Sequence, residues 1–333
     1  MIRRVVLLAL AVLAVAGVFA RAASPEGPRL AIVAQKYGQE VITAGPLGED
    51  PLQIVDSKHA GSGSLPSWSA DGSRLAFTAD VYPDDDPVLG VVDADGSNLR
   101  IYPRIRLELG DAVMAADGRS AAFARVRIRR IGKRTYTLTT SIWSFDFEEG
   151  ETRRLTRWQG EFLVPSSFSP DGSTLAATGF DLRRFRAVAI DLRSERTSLL
   201  ARNAAEPMYS PDGSSFAFVR WKPRQPRGAK EEASLVGELR VGRVGVPIGS
   251  RLLLRMRGRL GFPSWDPSGQ RLAFVNSRDE DPGDHGLEEG NRVMTINADG
   301  TCLTKVFSNP DMTLFGAAWQ PGLGREAGPI VCG

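Results

Sequence analysis

Ser210-Pro211-Asp212-Gly213-Ser214-Ser215-Phe216-Ala217-Phe218 is a tight turn followed by a strand, and variants of this phrase recur along the chain. They are Ser69-Ala-Asp-Gly-Ser-Arg-Leu-Ala-Phe77, Ala115-Ala-Asp-Gly-Arg-Ser-Ala-Ala-Phe123, Ser169-Pro-Asp-Gly-Ser-Thr-Leu-Ala-Ala177 and Asp266-Pro-Ser-Gly-Gln-Arg-Leu-Ala-Phe274, with a divergent copy at Ser24-Pro-Glu-Gly-Pro-Arg-Leu-Ala-Ile32. Each is a hairpin signal: Pro presets φ at the second turn position, Asp bonds its own backbone, and Gly takes the positive φ that closes the turn. The third residues of the six units, Glu26, Asp71, Asp117, Asp171, Asp212 and Ser268, are spaced 45, 46, 54, 41 and 56 residues apart. Self-similarity at this period marks a propeller blade of four strands.

The residues around the turn fit that reading. Three positions before it stand Trp68, Met114, Phe168, Tyr209 and Trp265. The strand after it, Leu-Ala-Phe, has no polar alternation, as a strand buried on both faces requires. A second unit, in Val91-Val-Asp-Ala-Asp-Gly96, Ile142-Trp-Ser-Phe-Asp146, Val188-Ala-Ile-Asp191 and Met294-Thr-Ile-Asn-Ala-Asp-Gly300, supplies the outer strands. Ala317-Ala-Trp-Gln-Pro321 repeats the strand before the turn but lacks the strand after it, and the copy at 24–32 has the opposite deficit. The two are expected to share one blade, which closes the ring and hides its edges.

The first residues read as a leader. Arg3 and Arg4 precede an apolar run from Val5 to Phe19 and the small-residue stretch Ala20-Arg-Ala-Ala23. This predicts a signal peptide over 1–23, with an uncleaved anchor as the alternative, and one propeller domain over 24–333. Without Arg3, Arg4 and Arg21, the 42 basic residues fall to 39, equal to the 39 acidic ones. A global electrostatic case for nucleic acid therefore fails. The expected protein is exported to the periplasm, cell envelope or exterior, has no integral membrane segment after cleavage, and is monomeric.

The Ser-Pro-Asp-Gly-x-x-Leu-Ala-Phe units with their Asn-Ala-Asp-Gly partners resemble the repeats of the TolB-like, WD40-like propeller family. The resemblance spans essentially the whole chain after the leader. It implies an all-β fold of six four-stranded antiparallel blades. The small α/β domain that precedes the ring in TolB itself has no expected counterpart here. Similar propellers precede a hydrolase domain in prolyl-peptidase-like enzymes, but no Gly-x-Ser-x-Gly nucleophile elbow occurs in this chain.

Candidate site residues come from the loops and the few reactive side chains. In propellers of this type the loops after each second strand face away from the Asp-Gly turns and present ligands. Two of these loops are basic, giving Arg127, Arg129, Arg130, Lys133, Arg134, Lys222 and Arg224 as candidates for an acidic glycan or a protein partner. His59 and His285, the only imidazoles, join that set. Two others are acidic: Asp84, Asp85, Asp86, Asp279, Asp281 and Asp284 offer oxygens of the kind Ca²⁺ takes, or are simply solvated. No cofactor is expected beyond that ion. Cys302 and Cys332, an even count in an exported chain, predict a disulfide stapling the closure. The leading reading is a non-enzymatic binding scaffold. The alternative is a hydrolase or lyase with a metal or acid–base site at the axial channel, to which Asp111, Glu161, Glu206 and His59 would contribute. A partner of a larger envelope complex is a third reading.

Overall fold

The computed structural model describes residues 29–35, 39–45, 48–60, 65–81, 86–133, 136–158, 160–181, 184–224, 234–246, 249–277, 291–309 and 313–322. Residues 1–23, expected from the sequence to be a leader, lie outside them. In chain order the strands are β1 (Leu30–Gln35), β2 (Gln39–Ala44), β3 (Leu52–Ala60), β4 (Ser67–Trp68), β5 (Arg74–Val81), β6 (Asp86–Asp93), β7 (Arg100–Arg106) and β8 (Leu109–Met114). There follow β9 (Ser120–Arg130), β10 (Tyr136–Asp146), β11 (Thr152–Arg154), β12 (Phe162–Phe168), β13 (Thr174–Asp181), β14 (Arg184–Asp191), β15 (Thr197–Arg202) and β16 (Ala205–Tyr209). The last are β17 (Ser215–Arg224), β18 (Ser234–Arg243), β19 (Ser250–Arg257), β20 (Arg259–Trp265), β21 (Arg271–Ser277), β22 (Arg292–Asn297), β23 (Thr304–Ser308) and β24 (Thr313–Trp319).

They form six four-stranded antiparallel sheets, the blades of a six-bladed β-propeller. Blades 1 to 5 are the consecutive quartets β4–β7 through β20–β23, and blade 6 has the order β24-β1-β2-β3. The shared blade is therefore as expected, with Leu30 opposite Trp319 and Ile32 opposite Ala317. Among the described residues, no helix is long and apolar enough to cross a membrane.

The second strand of each blade is buried as its lack of polar alternation predicts. Leu75, Ala76 and Phe77 are at most 1% exposed, as are Phe216, Ala217 and Phe218. These strands pack into six apolar clusters, each joining two neighbouring blades. The Phe77 ring needs room across its own sheet: a Cβ built on Gly90 would stand 2.5 Å from its Cζ.

Hydrogen bonds latch neighbouring inner strands together. Ser67, Ser167 and Ser264, four residues before the turn in blades 1, 3 and 5, each accept an amide from the next blade. The donors are Met114 N (2.9 Å), Tyr209 N (3.0 Å) and Trp319 N (2.9 Å). Trp68 and Trp265 donate their indole N–H back to Ala318 O and Met208 O of the preceding blade, both at 3.1 Å. The turn residues are satisfied locally: Asp171 accepts from the Ser169 hydroxyl at 2.6 Å and from Ser173 N at 3.0 Å.

Candidate functional site at the axial channel

The inner strands surround an axial channel with two chambers. The chamber at the turn face, about 380 Å³, is lined by all six blades and rimmed by Trp68, Met114, Phe168, Tyr209, Trp265 and Trp319. The chamber at the opposite, loop face is about 260 Å³. Leu65, Ser166 and Met208 line both and mark the waist between them.

The loop-face chamber is built from irregular backbone. Six residues before the turn, the inner strands place Asp111 in blade 2, Pro165 in blade 3, Glu206 in blade 4 and Phe262 in blade 5. The ladder to the second strand breaks there: pairing skips from Leu109 to Val113, from Ala205 to Met208 and from Gly261 to Ser264. Such bulges re-aim the skipped residues, here Asp111, Glu206 and Phe262, which line the channel. Glu206 and Phe262 sit at φ 55 and 54, a region that side-chain-bearing residues occupy only when the surroundings impose it.

Each carboxyl is held by neighbouring blades. Thr78 Oγ1 of blade 1 donates to Asp111 at 2.8 Å, and the Leu65 amide also donates to this carboxyl. Thr178 Oγ1 of blade 3, at the equivalent repeat position to Thr78, accepts the Glu206 amide at 2.8 Å. The Glu206 carboxylate accepts the Phe262 amide. Burial pushes Asp111 up to about 6, against the Thr78 and Leu65 hydrogen bonds. Burial pushes Glu206 up to about 7; the Asp111 charge adds to this, while the Phe262 amide and Arg259 oppose it.

The chamber wall is aromatic. Phe162 stacks on Phe180 at 4.6 Å, Phe180 meets Phe185 at 5.5 Å, and Phe185 meets Trp221 edge to face at 5.6 Å. Arg259 covers the other end of this row, 4.8 Å from the Trp221 ring. Phe185 is 43% exposed. Phe180, Phe185, Trp221, Arg259 and Phe262 therefore form one wall with Asp111 and Glu206 inside it.

Other residues singled out from sequence have different fates. Asp111 and Glu206 come together, whereas His59 lies on β3, the outermost strand of blade 6, bonded to Asp56 Oδ1 at 2.5 Å. Its local spacing gave no hint of blade position. Glu161 is ion-paired with Arg186. Arg127 stacks on Trp158 at 4.1 Å. Arg130 closes its own hairpin through Gly132 O and Lys133 O, while Arg129 and Lys133 are exposed. Lys222 joins Arg240 and Arg255 around the fully buried Glu238, at 2.9, 2.9 and 2.7 Å. Burial alone would raise the Glu238 pKa, but the three cations together hold it at about 2. Asp86 pairs with Arg106 at 2.9 Å. Asp84, Asp85, Arg134, Asp279, Asp281, Asp284, His285 and Cys332 lie outside the described residues, as does the side chain of Arg224. Among the described residues no group of three or more His, Cys, Asp or Glu is placed to hold a metal.

The sequence offered partial signals for what it missed. Ser67, Ser167 and Ser264 recur at one repeat position, and so do Thr78 and Thr178. The aromatic row carried none: Phe162, Phe180 and Phe185 are register neighbours on three strands of blade 3, and Trp221 meets them from blade 4.

No family model matches the chain, and no curated protein does. Solved structures do. TolB from Acinetobacter baumannii superimposes with a TM-score of 0.65 at 18% identity, covering 88% of this chain and 67% of that one. A putative TolB from Agrobacterium tumefaciens gives 0.56 at 18%, covering 89% and 99%. A chain of a nidogen/laminin complex gives 0.61 at 13%, again covering 89% and 99%. At these identities the likeness is one of fold: the chain is a six-bladed β-propeller similar in fold to the TolB structures.

Proposed function

We propose that this chain is an exported binding propeller that recognises its ligand or protein partner at the loop-face mouth of the axial channel. The observation that carries the reading is the mouth itself: exposed aromatic surface, buried carboxyls and strained backbone converge there. The other chamber is lined by residues engaged in holding blades together. The protein in the nidogen/laminin complex is a propeller-like neighbour seen with a protein partner, which accords with this reading.

The test is site-specific photocrosslinking in the native cell. A benzophenone amino acid replaces Phe185 at the mouth or Ser214 at the turn face. Adducts from position 185 alone are expected; adducts from 214 alone, or equally from both, overturn the placement. Export carries its own prediction. The mature, denatured protein contains no free thiol under non-reducing titration, because Cys302 and Cys332 are paired; two free thiols overturn the pairing. The bond closes a loop of about thirty residues, which corresponds to roughly 3 to 4 kcal/mol of stability.

A second reading, a hydrolase or lyase, draws on one observation: two carboxyls with pKa values near 6 and 7 share a cavity, an arrangement suited to general acid–base work. It requires turnover of some glycan or peptide that Glu206→Gln abolishes, and binding without turnover removes it.

A further inference from the structure

We propose that the loop-face mouth is a receptor for a single organic ammonium group, carried either by a small amine or by a lysine side chain of a partner; this rests on the reading of the mouth as the recognition surface. The charge count is the first argument. Two carboxyls, Asp111 and Glu206, line the chamber together with one guanidinium, that of Arg259. With both acids ionised the chamber holds one negative charge in excess. Left to itself, it relieves that excess by retaining a proton, since Glu206 titrates near neutrality. A monocation inside the chamber takes the place of that proton.

The walls are the second argument. Phe180, Phe185, Trp221 and Phe262 line the same chamber, and the negative face of an aromatic ring attracts ammonium groups. The Arg259–Trp221 contact already uses this attraction within the protein. A chamber of about 260 Å³ has room for an alkylammonium or the end of a lysine side chain. A divalent metal is less well served: the two acids are not joined by a third ligand among the described residues. An anion would face both carboxyls.

The groups facing Glu206 set the pH dependence. They are Asp111, Arg259, the Phe262 amide and Thr178, whose hydroxyl takes the Glu206 amide. Binding of an ammonium ion favours ionised Glu206, so affinity rises with pH between 5.5 and 8 and binding near pH 6.5 releases a proton. Calorimetry of the full chain with butylammonium, Nα-acetyl-lysine methylamide, butanol and butyrate tests this. Butylammonium, the lysine mimic or both are expected to bind about 10-fold more tightly at pH 8 than at pH 5.5, a change equivalent to one lost charge contact, while butanol and butyrate stay silent. Glu206→Gln, with its fold checked by circular dichroism, weakens binding about 10-fold and reduces the proton release to the share that Asp111 contributes. Phe185→Ala, at an exposed ring, weakens it about 2- to 5-fold. Tighter binding of the lysine mimic assigns the group to a partner chain, and tighter binding of butylammonium assigns it to a free amine. Butanol binding as well as butylammonium, binding indifferent to pH, binding unchanged in Glu206→Gln, or no binding by either amine overturns the proposal. If crosslinking from position 185 persists in that case, the mouth remains the recognition surface and only its ligand class is wrong.

Discussion

The two ends of the axial channel are made by the same six inner strands, yet they obey opposite rules. At the turn face the strands keep their register, and in blades 1, 3 and 5 a serine takes an amide of the neighbouring blade, as in the Ser67, Ser167 and Ser264 latches. At the loop face strands of the same set slip out of register, and the slips in blades 2, 4 and 5 place Asp111, Glu206 and Phe262 in the chamber. The carboxyls follow suit. Asp171 in its turn is held at about 2 by the Ser169 hydroxyl and the Ser173 amide and hydroxyl, whereas burial lifts Asp111 and Glu206 to about 6 and 7. One end of the ring is organised for stability, and the other retains chemistry that stability alone would not favour.

The sharpest way to break this contrast is to damage the stable end. Trp68 is 8% exposed, packs in the cluster between blades 6 and 1, and donates its indole N–H to Ala318 O. Trp68→Ala removes a large buried ring from the seam of the ring closure and is expected to cost about 3 to 5 kcal/mol, read as a lower urea midpoint. Phe185→Ala, an equally aromatic loss at the other end, should stay within about 1 kcal/mol because the ring is already exposed. Equal losses at the two positions would contradict the division of labour.

A pH series sharpens the contrast further. The native values of Asp111 and Glu206 lie above their ordinary 3.8 and 4.5, so the folded state holds protons more tightly than the unfolded one. Their contribution to stability is therefore fully present below about pH 4 and is lost as pH rises through 6 and 7. The double variant Asp111→Asn, Glu206→Gln has no such loss. Its stability relative to the parent should improve between pH 4 and pH 8, by on the order of 1 to 3 kcal/mol per site. Asp171 has the opposite sign: its contribution is present above its unfolded value of 3.8 and is lost as pH falls towards 2. Asp171→Asn should accordingly flatten only the acid limb. Denaturation midpoints at pH 3, 4, 6 and 8 separate the two effects, and a double variant that tracks the parent across this range would refute the buried-carboxyl account.

The turn face was legible in the sequence because it repeats. Asp71, Asp171 and Asp212 stand in the same short phrase, and residue type, turn chemistry and burial coincide in each copy. The split blade was legible for the same reason, as Leu30 and Trp319 are fragments of one unit. The loop face was not, because its chamber depends on departures from the repeat. Glu206 and Asp111 occupy one repeat position, but that they share a cavity depends on bulges that residue type does not announce. The basic hairpins illustrate the converse error. Lys222 and Arg130 drew attention by charge, yet one belongs to the Glu238 cluster and the other ties its own loop. Local charge density reported what the loops contain and not what they surround.

The smallest effect tests whether the turn-face latches contribute beyond packing. Ser167 accepts the Tyr209 amide and donates to Pro207 O at 3.2 Å, all within a buried seam. Ser167→Ala leaves an amide and a carbonyl of blade 4 without their partner, at an expected cost of about 1 to 3 kcal/mol. The neighbouring Ser166 has a hydroxyl of the same size, lines both chambers, and forms no comparable latch among the described residues. Ser166→Ala should therefore change stability by less than about 0.5 kcal/mol. The difference between these two adjacent substitutions, measured by urea denaturation, isolates the hydrogen bond from the methyl-sized change they share. Equal losses would mean that the recurring serine is a matter of volume, and that Ser67 and Ser264 also recur for packing alone.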